Sequence, residues 1–170
     1  MRIGVLGASR IAELAIVEPA AELGHRLVAV AARDLRRAEL FAQKYGVERA
    51  LDSYQAVLDD PEVDIVYNPL ANALHAPLNL AAIAAGKHVY TEKPLAMTTA
   101  QAIDLRDRAS AAGVRIGYLI APNVLSYVNG GWSHAEFKGA DLLYMGIFPA
   151  GMSTGKLKQD GWFLGGGFEN

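Results

Sequence analysis

A regular alternation governs the first two thirds of this chain. Short apolar, β-branched runs are followed by Ala- or Leu-rich stretches of helical period, repeatedly, as far as residue 116. Arg2–Leu6 is the first apolar run and ends at Gly7; residues 11–23 are helical in pattern and are closed by Gly24. Residues 26–32 are apolar again. Asp34 then stands as an N-cap for a helix over Leu35–Tyr45, stopped by Gly46. Ser53 caps a short helix that ends before Asp60-Pro61. Residues 63–67 read as a strand, 75–85 as a helix closed by Gly86, and 87–90 as a strand. Thr98 or Thr99 caps a helix running to Ala112, Gly113 closes it, and 114–118 form the last strand. Continuous apolar strands joined by helices require crossover connections, and so a parallel sheet covered on both faces. The expected fold class is α/β: a doubly wound parallel sheet of Rossmann type over residues 1–117.

The pattern breaks near Gly117. Eleven of the 17 glycines lie in residues 117–170, together with Trp132 and Trp162 and with strand-like pieces such as 141–148. Residues 118–170 read as a short, glycine-rich, β-rich C-terminal remnant of a second domain, built of short strands and loops. Its aromatic load (Trp132, Phe137, Phe148, Trp162, Phe163, Phe168) is more than so small a unit can bury by itself, so a homo-oligomer associating through this tail is expected.

Composition narrows the classes further. There are no cysteines, which removes disulfides and thiolate metal sites, and no metal is expected. A net charge of −2 gives no reason to expect nucleic acid, and no apolar run of membrane-spanning length occurs. The opening MRIGVLGAS reads as an initiator leading directly into a buried strand, without the apolar stretch of a signal peptide; the expected location is cytoplasmic.

The chemistry begins where the first strand meets the first helix, in GVLGASRIAELA. In the fingerprint G-x-G-x-x-G the first glycine makes the tight turn. The second lets the backbone approach a pyrophosphate, and the third lets helix and strand pack closely. Those positions are Gly7, Ser9 and Ala12. Ala is an accepted third residue, and Ser at the second supplies a hydroxyl that can donate to a phosphate oxygen beside the N–H groups of the helix start. Gly7, Ala8, Ser9, Arg10 and Ile11 are therefore the expected phosphate-binding loop. About 20 residues further on, NAD enzymes place a carboxylate for the ribose hydroxyls, whereas NADP enzymes place an Arg near the 2′-phosphate. Here VAVAARD puts Ala32 at the carboxylate position, followed by Arg33, with Arg36 and Arg37 nearby. A guanidinium fork suits a phosphate, so NADP is the expected cofactor, with NAD the alternative.

The segments GVLGASRIA, VAVAARD and DDPEVDIVYNPLANALHAPLNLAAIAAGKHVYTEKPLAMT together resemble the N-terminal domain of the Gfo/Idh/MocA oxidoreductases, over residues 2–116. AGKHVYTEKPLA is similar to that family's E-K-P segment after the fifth strand. Asn72 and His75 match its N-x-x-H turn, with Ala71 where the family usually has Pro. The resemblance implies that Lys93 hydrogen-bonds the hydroxyl or carbonyl undergoing hydride transfer, as the catalytic residue. It also implies that Pro94 fixes the turn through a cis bond, that Glu92 orients the cofactor side of the pocket, and that Asn72, His75, Glu92 and Lys93 lie at the cofactor. A lysine donor of this kind stabilises negative charge developing on a carbonyl oxygen. His25 and His88, beside strands, are read as structural. The implied function is an NAD(P)-dependent oxidoreductase moving a hydride between a nicotinamide and a sugar, polyol or dihydrodiol.

Beyond residue 116 the resemblance ends. The family's third motif is glycine-rich, followed by an Asp and, four residues on, a His or Tyr. In KGADLLYMGIFPAG, Tyr144 and Phe148 occupy those positions, and FLGGGFEN stops before reaching them; His134 and Tyr144 are candidate substitutes. This mismatch supports the alternative, a non-catalytic dinucleotide-binding module or a truncated relative without a complete active site.

Overall fold

The computed structural model describes residues 1–121, 124–137 and 157–169, with side chains described through residue 117. Strands β1 (Arg2–Leu6), β2 (Arg26–Ala31), β3 (Ala50–Leu51), β4 (Ile65–Asn68), β5 (His88–Thr91) and β6 (Ile116–Ala121) form a parallel six-stranded array in the order β3-β2-β1-β4-β5-β6. The order reverses beside β1, between it and β4, which is the switch point where open α/β sheets bind ligands. β7 (Val124–Phe137) pairs antiparallel with β6, and β8 (Leu157–Glu169) antiparallel with β7. Among the described residues the tail's backbone holds two long strands. The strand expected at 141–148, with Tyr144 and Phe148, lies outside the described residues.

Alternation along each strand sends side chains to two cores, one on each face. Ile3, Val5, Leu27 and Val30 pack with Ala12, Ala20, Ala38 and Phe41. Leu6, Val28, Val66 and Val89 pack with Val57, Leu58, Ala82, Ile83 and Leu105 on the other side. The sheet is therefore doubly wound. The helices start where their caps predict. Asp34 accepts from Arg37 N at the head of α3 (Leu35–Tyr45), Ser53 from Ala56 N at α4 (Tyr54–Asp59), and Thr98 from Gln101 N at α6 (Thr99–Ala112). Each such cap contributes about 1 kcal/mol.

Two expectations change in detail, and one strand is additional. The first helix is α-helical at α1 (Arg10–Ala12) and α2 (Glu18–Glu22), with a π-helical segment, Glu13–Val17, between them. Pro19 has no N–H for the carbonyl four residues back, and just before it Glu18 N donates five residues back to Glu13 O. Helix α5 (Asn72–Ala84) begins at Asn72 rather than His75, with Ala71 as an extended N-cap, so Pro77 sits past the first turn. The two-residue β3 carries too little pattern to be read from sequence.

Gly4 lies in the middle of β1 with no room for a side chain. A β-carbon there would come 2.7 Å from Val57 Cγ1 and 2.9 Å from Val63 Cγ1. Valine is stiff about χ1 and cannot step aside cheaply. Gly4→Ala is expected to lower unfolding stability by about 1–3 kcal/mol, the usual cost of overpacking a core. Equilibrium denaturation of the two proteins measures this directly, and an unchanged midpoint would show that the valines repack without strain.

Candidate active site

Because β1, β2, β4 and β5 run parallel, the segments that follow them share one edge of the sheet. These are the loop at Gly7, the Arg33 turn, the loop at Leu70 and the Glu92–Pro94 turn. The opposite edge carries an open depression lined by Asp64, Lys87 and His88, among others, away from all four.

At the first loop, Gly7 adopts φ 102°, a backbone that side chains other than glycine's rarely take. Its N–H donates to Ala31 O at 2.6 Å, and its carbonyl accepts from Ser9 N at 3.0 Å. Ser9 is the N-cap of α1, yet its side chain makes no capping bond. Its hydroxyl oxygen is shielded from solvent and has no hydrogen-bond partner among the described residues. Buried hydroxyls are rarely left unpaired, and the leading N–H groups of a helix lack partners within it. The residues present at this loop therefore fit a bound phosphate: an unpaired donor, a bare glycine and a helix start. Arg10 and Ile11 are exposed on the same turn, and Ala8 is half-buried.

At the second strand end, Ala32 is buried and Arg33 is exposed, with no hydrogen bond or ion pair to another described residue. The Asp34 carboxylate is committed to capping α3 through Arg37 N at 2.9 Å.

The third segment is the turn after β5. The Lys93–Pro94 bond is cis, as the resemblance implied. Glu92 N donates to Asn68 O at 3.0 Å, and Tyr67 Oη donates to Glu92 Oε1 at 2.8 Å. Tyr67 is fully buried and stacks on Tyr90 with ring centroids 4.8 Å apart. Burial, then the neighbouring Glu92 carboxylate, pushes the Tyr67 hydroxyl far above the usual tyrosine range, so it serves as a donor. Lys93 itself is exposed and makes no hydrogen bond to another described residue.

Of the remaining expected residues, Asn72 is exposed at the head of α5. His75 is buried, with its ring nitrogens at the carbonyls of Leu70 and Pro94. The ring is thus occupied by backbone, where a cofactor contact was expected. His88 Nδ1 accepts from Arg115 N, and His25 lies beside the Met1 amine, as structural residues do. Sequence reasoning missed Tyr67, Asn68 and Leu70. Each ends or follows a strand with an unremarkable side chain, and only the fold reveals its partner.

Residues 1–119 match the family model for the oxidoreductase family with an NAD-binding Rossmann fold, Gfo/Idh/MocA. The chain belongs to the Gfo/Idh/MocA oxidoreductase family. Among curated members, it is 37% identical over 116 residues to mouse (Mus musculus) trans-1,2-dihydrobenzene-1,2-diol dehydrogenase, covering 67% of this chain and 35% of that one. It is 38% identical over 116 residues to 1,5-anhydro-D-fructose reductase of Ensifer adhaerens, covering 68% and 35%. Among solved members, a 3-ketoreductase from Actinomadura kijaniata in complex with NADP and TDP-benzene superimposes with a TM-score of 0.65 at 38% identity, covering 69% of this chain and 36% of that one. The chain thus spans about a third of the length of these family members. Among the described residues no helix is long and apolar enough to cross a membrane.

Proposed function

We propose that this chain is the cofactor-holding part of an NAD(P)-dependent oxidoreductase that moves a hydride between a nicotinamide and a hydroxyl or carbonyl of a sugar, polyol or dihydrodiol. One observation carries the reading. A phosphate loop with an unpaired, shielded Ser9 hydroxyl shares a sheet edge with an exposed lysine on a fastened turn. Gly7, Ala8, Ser9, Arg10 and Ile11 would hold the pyrophosphate, Arg33 the 2′-phosphate, and Asn72 and Glu92 the nicotinamide side of the pocket. The cofactor, when bound, accepts or supplies the hydride. Lys93 donates to the substrate oxygen and stabilises the charge that develops on it. The dihydrodiol, anhydrosugar and keto groups in the names of the relatives support the substrate class, and the NADP in the ketoreductase complex supports NADP over NAD.

Tyr144 and Phe148, standing where the family's third motif has Asp and His or Tyr, favour a second reading, a module that binds dinucleotide without turning substrate over. The two readings separate in one experiment on the purified chain: NADPH titration by fluorescence, followed by a panel of sugars and diols with either cofactor. Turnover supports the enzyme, binding without turnover supports the module, and no binding rejects both.

The same proposal places the protein in the cytoplasm as a homo-oligomer, with the sequence division near residue 117 separating a cofactor domain from an associating tail. Light scattering of the full chain at micromolar concentration is expected to give more than the monomer mass. Cutting after Ala121, where β6 ends, is expected to restore the monomer and keep dinucleotide binding. A full-length monomer would reject association through the tail.

A further inference from the structure

His75 is 1% exposed, and both of its ring nitrogens lie against backbone carbonyls: Nε2 is 2.8 Å from Leu70 O and Nδ1 is 2.7 Å from Pro94 O. Carbonyl oxygens only accept, so a ring with both N–H groups engages the two together, and a ring with one engages one of them. The two carbonyls belong to different loops at the site edge. Leu70 follows β4, and its Cδ2 lies 2.7 Å from where a β-carbon on Gly7 would stand, so the leucine rests on the bare backbone of the phosphate loop. Pro94 directly follows Lys93. A continuous path of contacts therefore runs from Gly7 through Leu70 and His75 to Pro94 and Lys93. Tyr67 and Asn68 hold this turn on its Glu92 side; His75 holds it on its Pro94 side.

We infer that His75 is a positioning residue that couples occupancy of the phosphate loop to the placement of Lys93. This rests on the dinucleotide-binding reading given above. The ring does not reach a ligand; it acts through the two loops it joins. A ligand that orders the Gly7 loop orders Leu70 above it, and the imidazole passes that order to the Lys93 turn.

The test uses the full chain and 2′-phospho-ADP-ribose, which occupies the phosphate side and lacks the nicotinamide that would touch the Lys93 turn directly. Amide exchange is followed by mass spectrometry in peptides covering residues 7–11 and 90–97. In the wild type the probe is expected to slow exchange in both, by about fivefold to tenfold at 90–97, the change in local opening that one hydrogen bond gives. In His75→Phe, which carries no donor, and in His75→Gln, whose two N–H groups diverge from one nitrogen instead of from two atoms of a ring, protection is expected at 7–11 only. The glutamine variant keeps the test readable if the phenylalanine variant does not fold. Coupled protection persisting in a folded variant overturns the inference. So does faster exchange throughout the domain with the coupling intact, which is what a merely structural histidine would give. A wild type protected at 7–11 but not at 90–97 also overturns it, while leaving dinucleotide binding in place. A wild type protected at neither segment overturns the binding reading and this inference together.

Discussion

Replacing Lys93 by alanine is expected to slow hydride transfer by about a hundredfold or more while changing cofactor affinity by no more than about twofold. The side chain is exposed at the sheet's carboxyl edge and is not engaged by another described residue, so its ammonium is available to a substrate oxygen. Its backbone is held in place on both sides, by Tyr67 and Asn68 at Glu92 and by His75 at Pro94. A fixed donor aimed at an oxygen where charge builds up lowers the barrier more than it improves ground-state binding. The loss should therefore appear in kcat. Single-turnover measurement of nicotinamide absorbance, on any substrate the wild-type chain converts, separates this from a binding defect. A variant with its rate intact would remove Lys93 from the chemistry, and a variant that lost cofactor binding in proportion would make it a cofactor ligand instead.

Replacing Arg33 by alanine is expected to weaken NADP binding by about tenfold to a hundredfold, the loss of one or two charged hydrogen bonds, and to leave NAD within about twofold. The structure narrows the choice of groups that can read the ribose. Position 32 is a buried alanine. The carboxylate that follows Arg33, Asp34, caps α3 and cannot leave without exposing Arg37 N. That leaves an exposed guanidinium with no competing ion pair among the described residues. Calorimetric titration of both cofactors against both proteins decides the matter. Equal affinities unaffected by the substitution would show that Arg33 faces solvent and that NADP preference is absent or read elsewhere.

What the sequence made legible follows from how local each signal is. The strands β1, β2, β4 and β5 announce themselves as apolar runs, and Asp34, Ser53 and Thr98 announce helix starts, because capping is settled within four residues. The phosphate loop and the Glu92–Pro94 turn were legible as motifs. The role of His75 was not, since its partners are carbonyls five residues before it and nineteen after it, and no side-chain pattern marks a carbonyl. The Tyr67–Glu92 bond spans 25 residues and depends on β4 and β5 being neighbours, which is knowable only once the strand order is. Helix α5 begins three residues before its helical pattern does, and the extended Ala71 that begins it has no capping side chain to betray it.

The two ends of the described sheet are unequal, and this bears on where its backbone is left open to pairing. On one side the outermost strand is β3, two residues long, which offers a neighbouring molecule almost no row of unpaired N–H and C=O groups to zip onto. On the other side the outermost described strand is β8, thirteen residues long. Among the described residues, room for a further strand to join the sheet is therefore one-sided.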